Sequence, residues 1–280
     1  MEKIRIIPDS AADLDNIRPE VTVIPMKISF GSETYLDGVN LSHREFYEKL
    51  VESDVLPTTS QATPAMFDTV FRETAAAGDS AVVITLSSKL SGTYQSAVLA
   101  ADGYENIYIV DSQSVSIGAG VLAELGVRLN EQGRSAAEIA ETLMRAREDV
   151  CVIALLDTLE YLKKGGRISK TVAFAGGMLN IKPVVTIQDG AVVMIGKARG
   201  SRNGNNLLVE KINQAGGVDF DRPVLLGYTG LSSALMEKYV EDSKALWEGH
   251  VDQLDGCLLC SVIGTHAGPG AVAVAFFKKG

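Results

Sequence analysis

The sequence is poor in cysteine and contains no long apolar run. Its three cysteines are an odd number, which makes no disulfide framework, and Cys257 and Cys260 lack the second Cys/His pair of a zinc site. No stretch reaches the roughly 20 apolar residues that span a bilayer, and the N-terminus MEKIRIIPDS has no signal-peptide core. We therefore expect a cytoplasmic protein without a metal ion, with at most transient membrane contact.

Positive charge is also scarce. The chain carries 26 Lys and Arg against 35 Asp and Glu, for a formal net charge of −9, and no basic stripe runs along it. Because nucleic-acid binding needs clustered cations to neutralise phosphates, we expect no nucleic-acid partner. The P-loop G-x-x-x-x-G-K-[ST] and the nucleophile elbow G-x-S-x-G are both missing, so neither of these signatures supports an enzyme assignment.

Apolar runs and helical patterns alternate through the first half of the chain. Hydrophobic residues make up 46% of the sequence, which is enough for one or two domains with real cores. Runs such as 80–86 and 106–110 predict buried strands, and Ser42 and Ser135 each stand three residues before a Glu in the spacing of a capping box. This alternation predicts an α/β fold with a largely parallel, doubly wound sheet.

The second half of the chain begins with a different pattern. Residues 184–187 and 191–195 are apolar and flank Gln188-Asp189-Gly190, and an Asp-Gly pair favours the tight turn of a β-hairpin. We therefore predict two α/β domains, residues 1–152 and 153–280, of which the C-terminal one contains this hairpin.

Two segments are rich in hydroxyl groups. The stretch SSKLSGTYQSA, residues 87–97, follows a predicted strand, and PTTSQATP, residues 57–64, precedes a predicted helix. Hydroxyls and free backbone N–H groups at a helix start suit a carboxylate or a phosphate. We expect both segments to form loops that converge at the carboxyl edge of the sheet. The simpler alternative is that they only cap helices and form polar turns.

Two further kinds of segment are candidates for ligand or partner contact. The stretch IGTHAGPG places His266 in a predicted Gly-rich turn after an apolar strand, although a lone histidine is more often structural. Arg167 in EYLKKGGRISK and Arg199 and Arg202 in GKARGSR form local basic patches in an otherwise acidic chain. These arginines could contact a phosphorylated ligand or a partner, or simply be the cations expected near a helix end.

The motifs together resemble those of one family. They are PDSAADL, DGVNL, PTTSQATP, LSSKLSGTYQSA, LEYLKKGGRIS, LNIKP and GTHAGPGA, and they extend nearly from end to end of the chain. In this combination the sequence resembles the DegV family of bacterial fatty-acid-binding proteins. It departs from the family pattern at Pro8, where Thr is usual, and in LLGYTG, which lacks a frequent His.

The resemblance implies a ligand and the residues that bind it. A long-chain fatty acid such as palmitate, stearate or oleate would lie in an apolar tunnel between the two α/β domains, with no other cofactor. Its carboxylate would be held by the hydroxyls of Thr59 and Ser91, with Ser60, Thr93 and His266 as neighbours.

The resemblance also implies a role. Such proteins are similar to the carrier subunit of a bacterial fatty acid kinase, which presents the carboxylate to a separate ATP-binding subunit. The product is an acyl phosphate that feeds phospholipid synthesis. Arg167, Arg199 and Arg202 would then face the kinase or the new phosphate, and catalysis would take place in the partner.

Two alternatives remain open from the sequence. The chain could be a stand-alone enzyme for a small phosphorylated or carboxylated metabolite, with His266 as acid or nucleophile and Asp9 or Asp111 as its partner. It could instead be a structural or regulatory protein whose interior is filled by side chains. An internal apolar cavity distinguishes the carrier from this last alternative.

Overall fold

The computed structural model describes residues 3–14, 18, 21–169, 180–251, 254 and 256–279. Within these ranges the chain forms twelve strands and ten α-helices, with short 3-10 helices at Ser10–Ala12 and Arg147–Asp149. The strands are β1 Ile4–Pro8, β2 Lys27–Phe30, β3 Glu33–Leu36, β4 Thr58–Ser60, β5 Ser80–Thr85, β6 Ile107–Asp111, β7 Val150–Leu155, β8 Ile181–Gln188, β9 Ala191–Arg199, β10 Leu225–Tyr228, β11 Gly256–Leu258 and β12 Val272–Phe277. The helices are α1 His43–Glu52, α2 Pro64–Ala76, α3 Thr93–Ala100, α4 Ile117–Glu131, α5 Ala136–Ala146, α6 Glu160–Lys164, α7 Ser201–Gln214, α8 Ala234–Asp242, α9 Lys244–Trp247 and α10 Ser261–Ala267.

The N-terminal half is built around a parallel sheet. Its strand order is β1-β5-β6, and every residue of the central strand β5 is buried. Helices α2 and α3 pack on each other and on this sheet, as do α4 and α5. The capping boxes predicted at Ser42 and Ser135 are both present, at the starts of α1 and α5. The predicted α/β fold with a parallel N-terminal sheet is confirmed.

The C-terminal half contains a mixed six-stranded sheet with the order β11-β10-β12-β7-β8-β9. Strands β8 and β9 pair antiparallel, and Asp189 and Gly190 form the turn between them with φ angles of 49° and 76°. Glycine adopts such angles readily and Asp tolerates them, which is why Asp-Gly is typical of this turn. The predicted hairpin is confirmed.

A third, small sheet corrects one prediction. Its order is β3-β2-β4, all antiparallel, and Thr59 in β4 pairs with Ile28 in β2. The segment PTTSQATP was expected to form a loop, but its residues 58–60 form an edge strand instead. Threonine is β-branched and suits an extended backbone, so a short run of threonines pairs readily when a free strand edge lies beside it.

The segment that carries His266 also differs from its prediction. The apolar run 257–263 was expected to be a strand, but β11 ends at Leu258 and α10 begins at Ser261. His266 therefore lies in the last turn of a helix and not in a turn after a strand. A short apolar run cannot distinguish a buried strand from a buried helix by its periodicity, which explains the error.

One hydrophobic core joins the two halves of the chain. It contains Ile7 and Phe46 from the first half as well as Cys260 and Phe277 from the second, and α4 packs against β7, β10 and β12. The predicted division after residue 152 falls inside β7, and it stays a prediction. Among the residues described, no helix is long and apolar enough to cross a bilayer.

Candidate ligand site

A cavity lies where the parallel sheet, β4 and α10 meet the C-terminal sheet. It contains about 920 Å³ of space between atoms, part of it open to solvent. Its walls are mostly aliphatic and come from both halves of the chain, for example Leu86, Val152 and Val262. Its polar wall residues include a polar cluster, which we define as Thr59, Gln61, Ser91, Arg167 and His266.

Two other hydroxyls in the cavity wall are already paired with the protein. Ser116 donates its hydroxyl to Asp13 over 2.6 Å, and Thr186 donates its hydroxyl to the carbonyl oxygen of Val152 over 2.8 Å. An apolar ligand that passes these residues leaves no hydroxyl donor unsatisfied, since each bond lies within the protein. The polar cluster is therefore the better place for a charged group of a ligand.

Thr59 and His266 form the centre of the polar cluster. The hydroxyl oxygen of Thr59 lies 2.8 Å from Nε2 of His266. Strand β4 presents Thr59 to the cavity, whereas the neighbouring Ser60 is exposed and absent from the cavity wall. This difference follows from the period of two in a strand, which turns adjacent side chains to opposite faces.

The second ring nitrogen of His266 has no hydrogen-bond partner among the described residues. Nδ1 is buried against Gly165, where an added Cβ would lie only 2.3 Å from it. Burial, together with the positive charge of Arg167, lowers the pKa of His266 from 6.5 to about 4. The imidazole is therefore neutral near pH 7 and carries a single N–H.

Ser91 lies in the cavity wall, and its hydroxyl contacts Thr93, which in turn contacts the segment 57–64. Its hydroxyl lies 2.9 Å from that of Thr93, and the Thr93 hydroxyl oxygen accepts the N–H of Ala62 over 3.4 Å. Thr93 is fully buried behind Ser91 and does not line the cavity. The two hydroxyl-rich segments thus meet, although one of them is a strand end and not a loop.

Gln61 belongs to the polar cluster although it was not predicted as a site residue. Its side-chain amide donates to the hydroxyl of Ser96 over 2.8 Å and lies directly over Gly92, where an added Cβ would be 2.1 Å from Oε1. The glycine after Ser91 is needed for this close approach, which no local pattern in the sequence reveals.

The three candidate arginines lie in different surroundings. Arg167 lines the cavity, and its Nε and Nη1 donate to the carbonyl oxygens of Leu90 and Gly165 over 3.2 Å and 2.7 Å. Helix α6 ends at Lys164, just before Arg167, so basic residues do lie near a helix end, and Gly166 follows with a φ of 70°. Arg199, at the end of β9, and Arg202, in the first turn of α7, are exposed and lie outside the cavity wall.

The two aspartates of the enzyme alternative bind backbone groups. Asp9 is buried and accepts the N–H groups of Ala11 and Leu86, and Asp111 accepts those of Ser88 and Gln113. Neither of them lines the cavity or pairs with His266. Among the residues that the structure describes, no group of three His, Cys, Asp or Glu side chains is arranged to hold a metal ion.

Fold and cavity together define an α/β protein with an internal apolar pocket that carries a cluster of polar side chains in its wall. A sequence profile described as an uncharacterised protein of the DegV family matches residues 3–279. The chain belongs to the DegV family.

Similar proteins support this assignment over the whole length of the chain. A DegV domain-containing protein of Caldanaerobacter subterraneus subsp. tengcongensis is 35% identical over 291 residues and covers 100% of both chains. A Thermus thermophilus DegV family protein, described by its fatty acid binding, has a TM-score of 0.85 at 31% identity over 98% of this chain and 99% of its own. DegV of Bacillus subtilis, described as a fatty acid binding protein, has a TM-score of 0.84 at 27% identity over 100% of both chains.

Proposed function

We propose that this protein binds one long-chain fatty acid, such as palmitate, stearate or oleate, in the cavity between its two halves. The hydroxyls of Thr59 and Ser91 would hold the carboxylate, with His266 as their neighbour. The observation that carries the proposal is an apolar cavity of about 920 Å³ whose wall brings together residues 59, 91 and 266. The fatty acid binding described for the Thermus thermophilus and Bacillus subtilis relatives supports it.

The position of the proton on the neutral His266 ring decides which groups of the polar cluster donate hydrogen bonds and which accept them. A buried N–H without an acceptor is rarer and costlier than a free lone pair, so the proton belongs on Nε2 and not on the unpartnered Nδ1. Nε2–H then donates to the oxygen of Thr59, and the Thr59 hydroxyl is free to donate into the cavity. A carboxylate needs such donors, because it only accepts hydrogen bonds.

The remaining predicted site residues have supporting roles in this proposal. Thr93 would orient the Ser91 hydroxyl from behind, over the 2.9 Å between their oxygens. Ser60 is exposed, so it would contribute through β4 and not by direct contact. Arg167 would offset the negative charge of the carboxylate, since a buried charge is tolerated only when it is paired and hydrogen-bonded.

The apolar walls account for the affinity. Each buried methylene contributes about 0.8 kcal/mol, so a chain of about 14 methylenes gains roughly 11 kcal/mol before the costs of ordering. The carboxylate contributes specificity more than affinity, because its hydration in water must be replaced by the donors of the polar cluster.

We further propose that the protein is a cytoplasmic carrier and not itself a catalyst. It would present the carboxylate to a separate ATP-dependent kinase subunit, which forms the acyl phosphate. Arg199 and Arg202 are exposed and suit contact with that partner, whereas Arg167 in the cavity wall suits contact with the new phosphate. The absence of a carboxylate partner for His266 among the described residues speaks against the stand-alone enzyme.

Native mass spectrometry of the purified protein, followed by lipid analysis of the denatured sample, tests the binding. One fatty acid per chain supports the proposal. A protein that is empty and also refuses added palmitate and oleate contradicts it.

A coupled assay with the kinase subunit and ATP tests the role as a carrier. Changing Arg199 and Arg202 together to Ala should leave fatty acid affinity unchanged and lower the rate of acyl phosphate formation. ATP consumption by the carrier alone would instead support the enzyme alternative.

A further inference from the structure

Helix α10 connects the polar cluster to a distant part of the chain. Its last turn carries His266, and Val262, Ile263 and Ala267 on the same helix line the cavity. The position of this one helix therefore sets the place of the imidazole and the shape of one wall. No side chain of its own caps its first turn.

Two buried aspartates from the first 40 residues bind the start of α10. Oδ1 of Asp13 accepts the N–H of Cys260 over 2.6 Å, and Oδ1 of Asp37 accepts the N–H of Ser261 over 3.1 Å. The first amides of a helix have no partner within it, so these carboxylates satisfy donors that would otherwise be buried without an acceptor. A negative charge at this end is also favoured by the helix dipole.

Close packing against α1 fixes the helix along its middle. The hydroxyl of Tyr47 donates to the carbonyl oxygen of Leu259 over 3.0 Å. At Gly264 an added Cβ would lie 2.5 Å from the ring of Phe46 and 2.6 Å from the Tyr47 oxygen. The backbone of α10 thus lies directly on two aromatic rings, which set its distance from α1.

The distance from the capped end to the imidazole is short. His266 lies five positions after Ser261, which is about 7.5 Å along a helix that rises 1.5 Å per residue. The helix has only seven residues, about two turns, so we expect a displacement of its first turn to reach its last.

We propose that Asp13 and Asp37 are positioning residues of the carboxylate site, which act through α10 to hold His266 against Thr59. This inference rests on the proposed function and assigns a role to PDSAADL and DGVNL, the motifs that the fatty acid site leaves unexplained. Burial raises the pKa of Asp13 from 3.8 to about 7, which shows that the fold keeps this carboxyl at an energetic cost.

The first test is a titration of His266 by NMR in the ligand-free protein. Changing Asp13 or Asp37 to Ala should raise the pKa of His266 from about 4 towards 6.5, because a displaced ring regains contact with water. Burial and Arg167 are the causes of the present shift, and neither aspartate is among them. A change in the pKa of His266 would therefore result from movement of α10 and not from the loss of the aspartate charge.

The second test compares oleate affinity across a set of variants. Asp37→Ala should weaken binding about tenfold, and Asp37→Asn should restore most of it because its Oδ1 still accepts the Ser261 N–H. Asp13→Ala should lose at least as much, because it also leaves the Ser116 hydroxyl in the cavity wall without its acceptor. In a His266→Ala background, Asp37→Ala should cost less than it does in the wild type, since the part of its effect that passes through the imidazole is already lost.

Ser135→Ala provides the matched control. It removes the cap of α5, which does not line the cavity, and should lower the melting temperature without changing the titration of His266 or the affinity for oleate. If Asp13→Ala fails to fold, the His266 titration and the oleate affinity of Asp37→Ala alone test the positioning role. An aspartate variant that behaves like Ser135→Ala, less stable but with His266 and oleate affinity unchanged, overturns the positioning role.

The titration also separates this inference from the proposed function. A wild-type protein without affinity for any fatty acid refutes the function, while the His266 titration still decides whether the aspartates position the ring.

Discussion

Thr59 and His266 are hydrogen-bonded over 2.8 Å although 207 positions separate them in the chain. The bond joins β4, a short edge strand of the smallest sheet, to the last turn of α10. Neither element would place its side chain without the other half of the protein, so the site depends on the complete tertiary structure.

Removing the hydroxyls of the polar cluster should weaken fatty acid binding. In Thr59→Ala/Ser91→Ala we expect a loss of roughly 100-fold or more in palmitate affinity, because each of the two hydrogen bonds to a charged group contributes about 1.5–3 kcal/mol. Isothermal titration measures this loss. Thr58→Ala, an exposed neighbour in β4, is the control and should bind like the wild type. Equal affinity in the double variant and the wild type would mean that the carboxylate lies elsewhere.

His266 should make the protein more stable as the pH rises from about 4 to 6.5. In this range the unfolded chain holds a proton on the imidazole, whereas the folded protein, with a pKa of about 4, does not. The free energy of unfolding therefore increases with pH, by at most about 1.4 kcal/mol per pH unit. Urea unfolding of His266→Gln, which keeps a donor for Thr59, should lack this component. An identical pH dependence in both proteins would contradict the lowered pKa.

Asp9 should make the protein less stable as the pH rises from about 4 to about 7. Burial, opposed by the N–H groups of Leu86 and Ala11 and reinforced by the charges of Asp13 and Asp37, raises its pKa from 3.8 to about 7. Between these values the folded protein holds a proton that the unfolded chain releases, so stability falls as the pH rises. In Asp9→Asn the fall should be smaller than in the wild type, as measured by urea unfolding at pH 5 and pH 7. An equal fall in the variant and the wild type would show that Asp9 is ionised throughout this range.

Gly165→Ala should weaken binding even though the backbone permits alanine. Gly165 has a φ of −73°, and alanine usually stabilises such a position by about 0.5–1 kcal/mol. Its Cβ would lie 2.3 Å from Nδ1 of His266, so the ring must move away from Thr59. We expect about a tenfold loss of oleate affinity, which corresponds to an overpacking cost near the low end of 1–3 kcal/mol.

Lys164→Ala is the control for this change, because Lys164 is exposed in the same helix. Unchanged affinity in Gly165→Ala would show that the position of the imidazole does not matter for binding.

Local chemistry explains which parts of the fold were predictable from the sequence. The Asp189-Gly190 turn and the capping boxes at Ser42 and Ser135 are decided by residues within a few positions of one another, and all three were predicted correctly. The course of α10 was not, because its first amides are satisfied by Asp13 and Asp37, 247 and 224 positions away. No pattern around residue 260 carries that information.

The candidate site was predictable only in those residues that a sequence motif identifies. Thr59, Ser91 and His266 were selected by the resemblance to a family, and the structure brings all three into one cavity wall. Gln61 and Gly165 were not predicted because their roles depend on tertiary contacts. Gln61 lies against Gly92, and Gly165 lies against the His266 ring. Composition could exclude whole classes of function, but it could not reveal those contacts.

The long-range anchoring of α10 has a consequence for protein synthesis. Asp13, Asp37 and Thr59 are synthesised about 200 or more residues before α10, the helix that occupies the space between them. At about 5–20 residues synthesised per second, the groove that α10 later occupies stays unfilled for on the order of ten seconds or more. A nascent chain that stops before α10 should therefore bind no fatty acid, and its open groove is the place where a chaperone would be expected to associate.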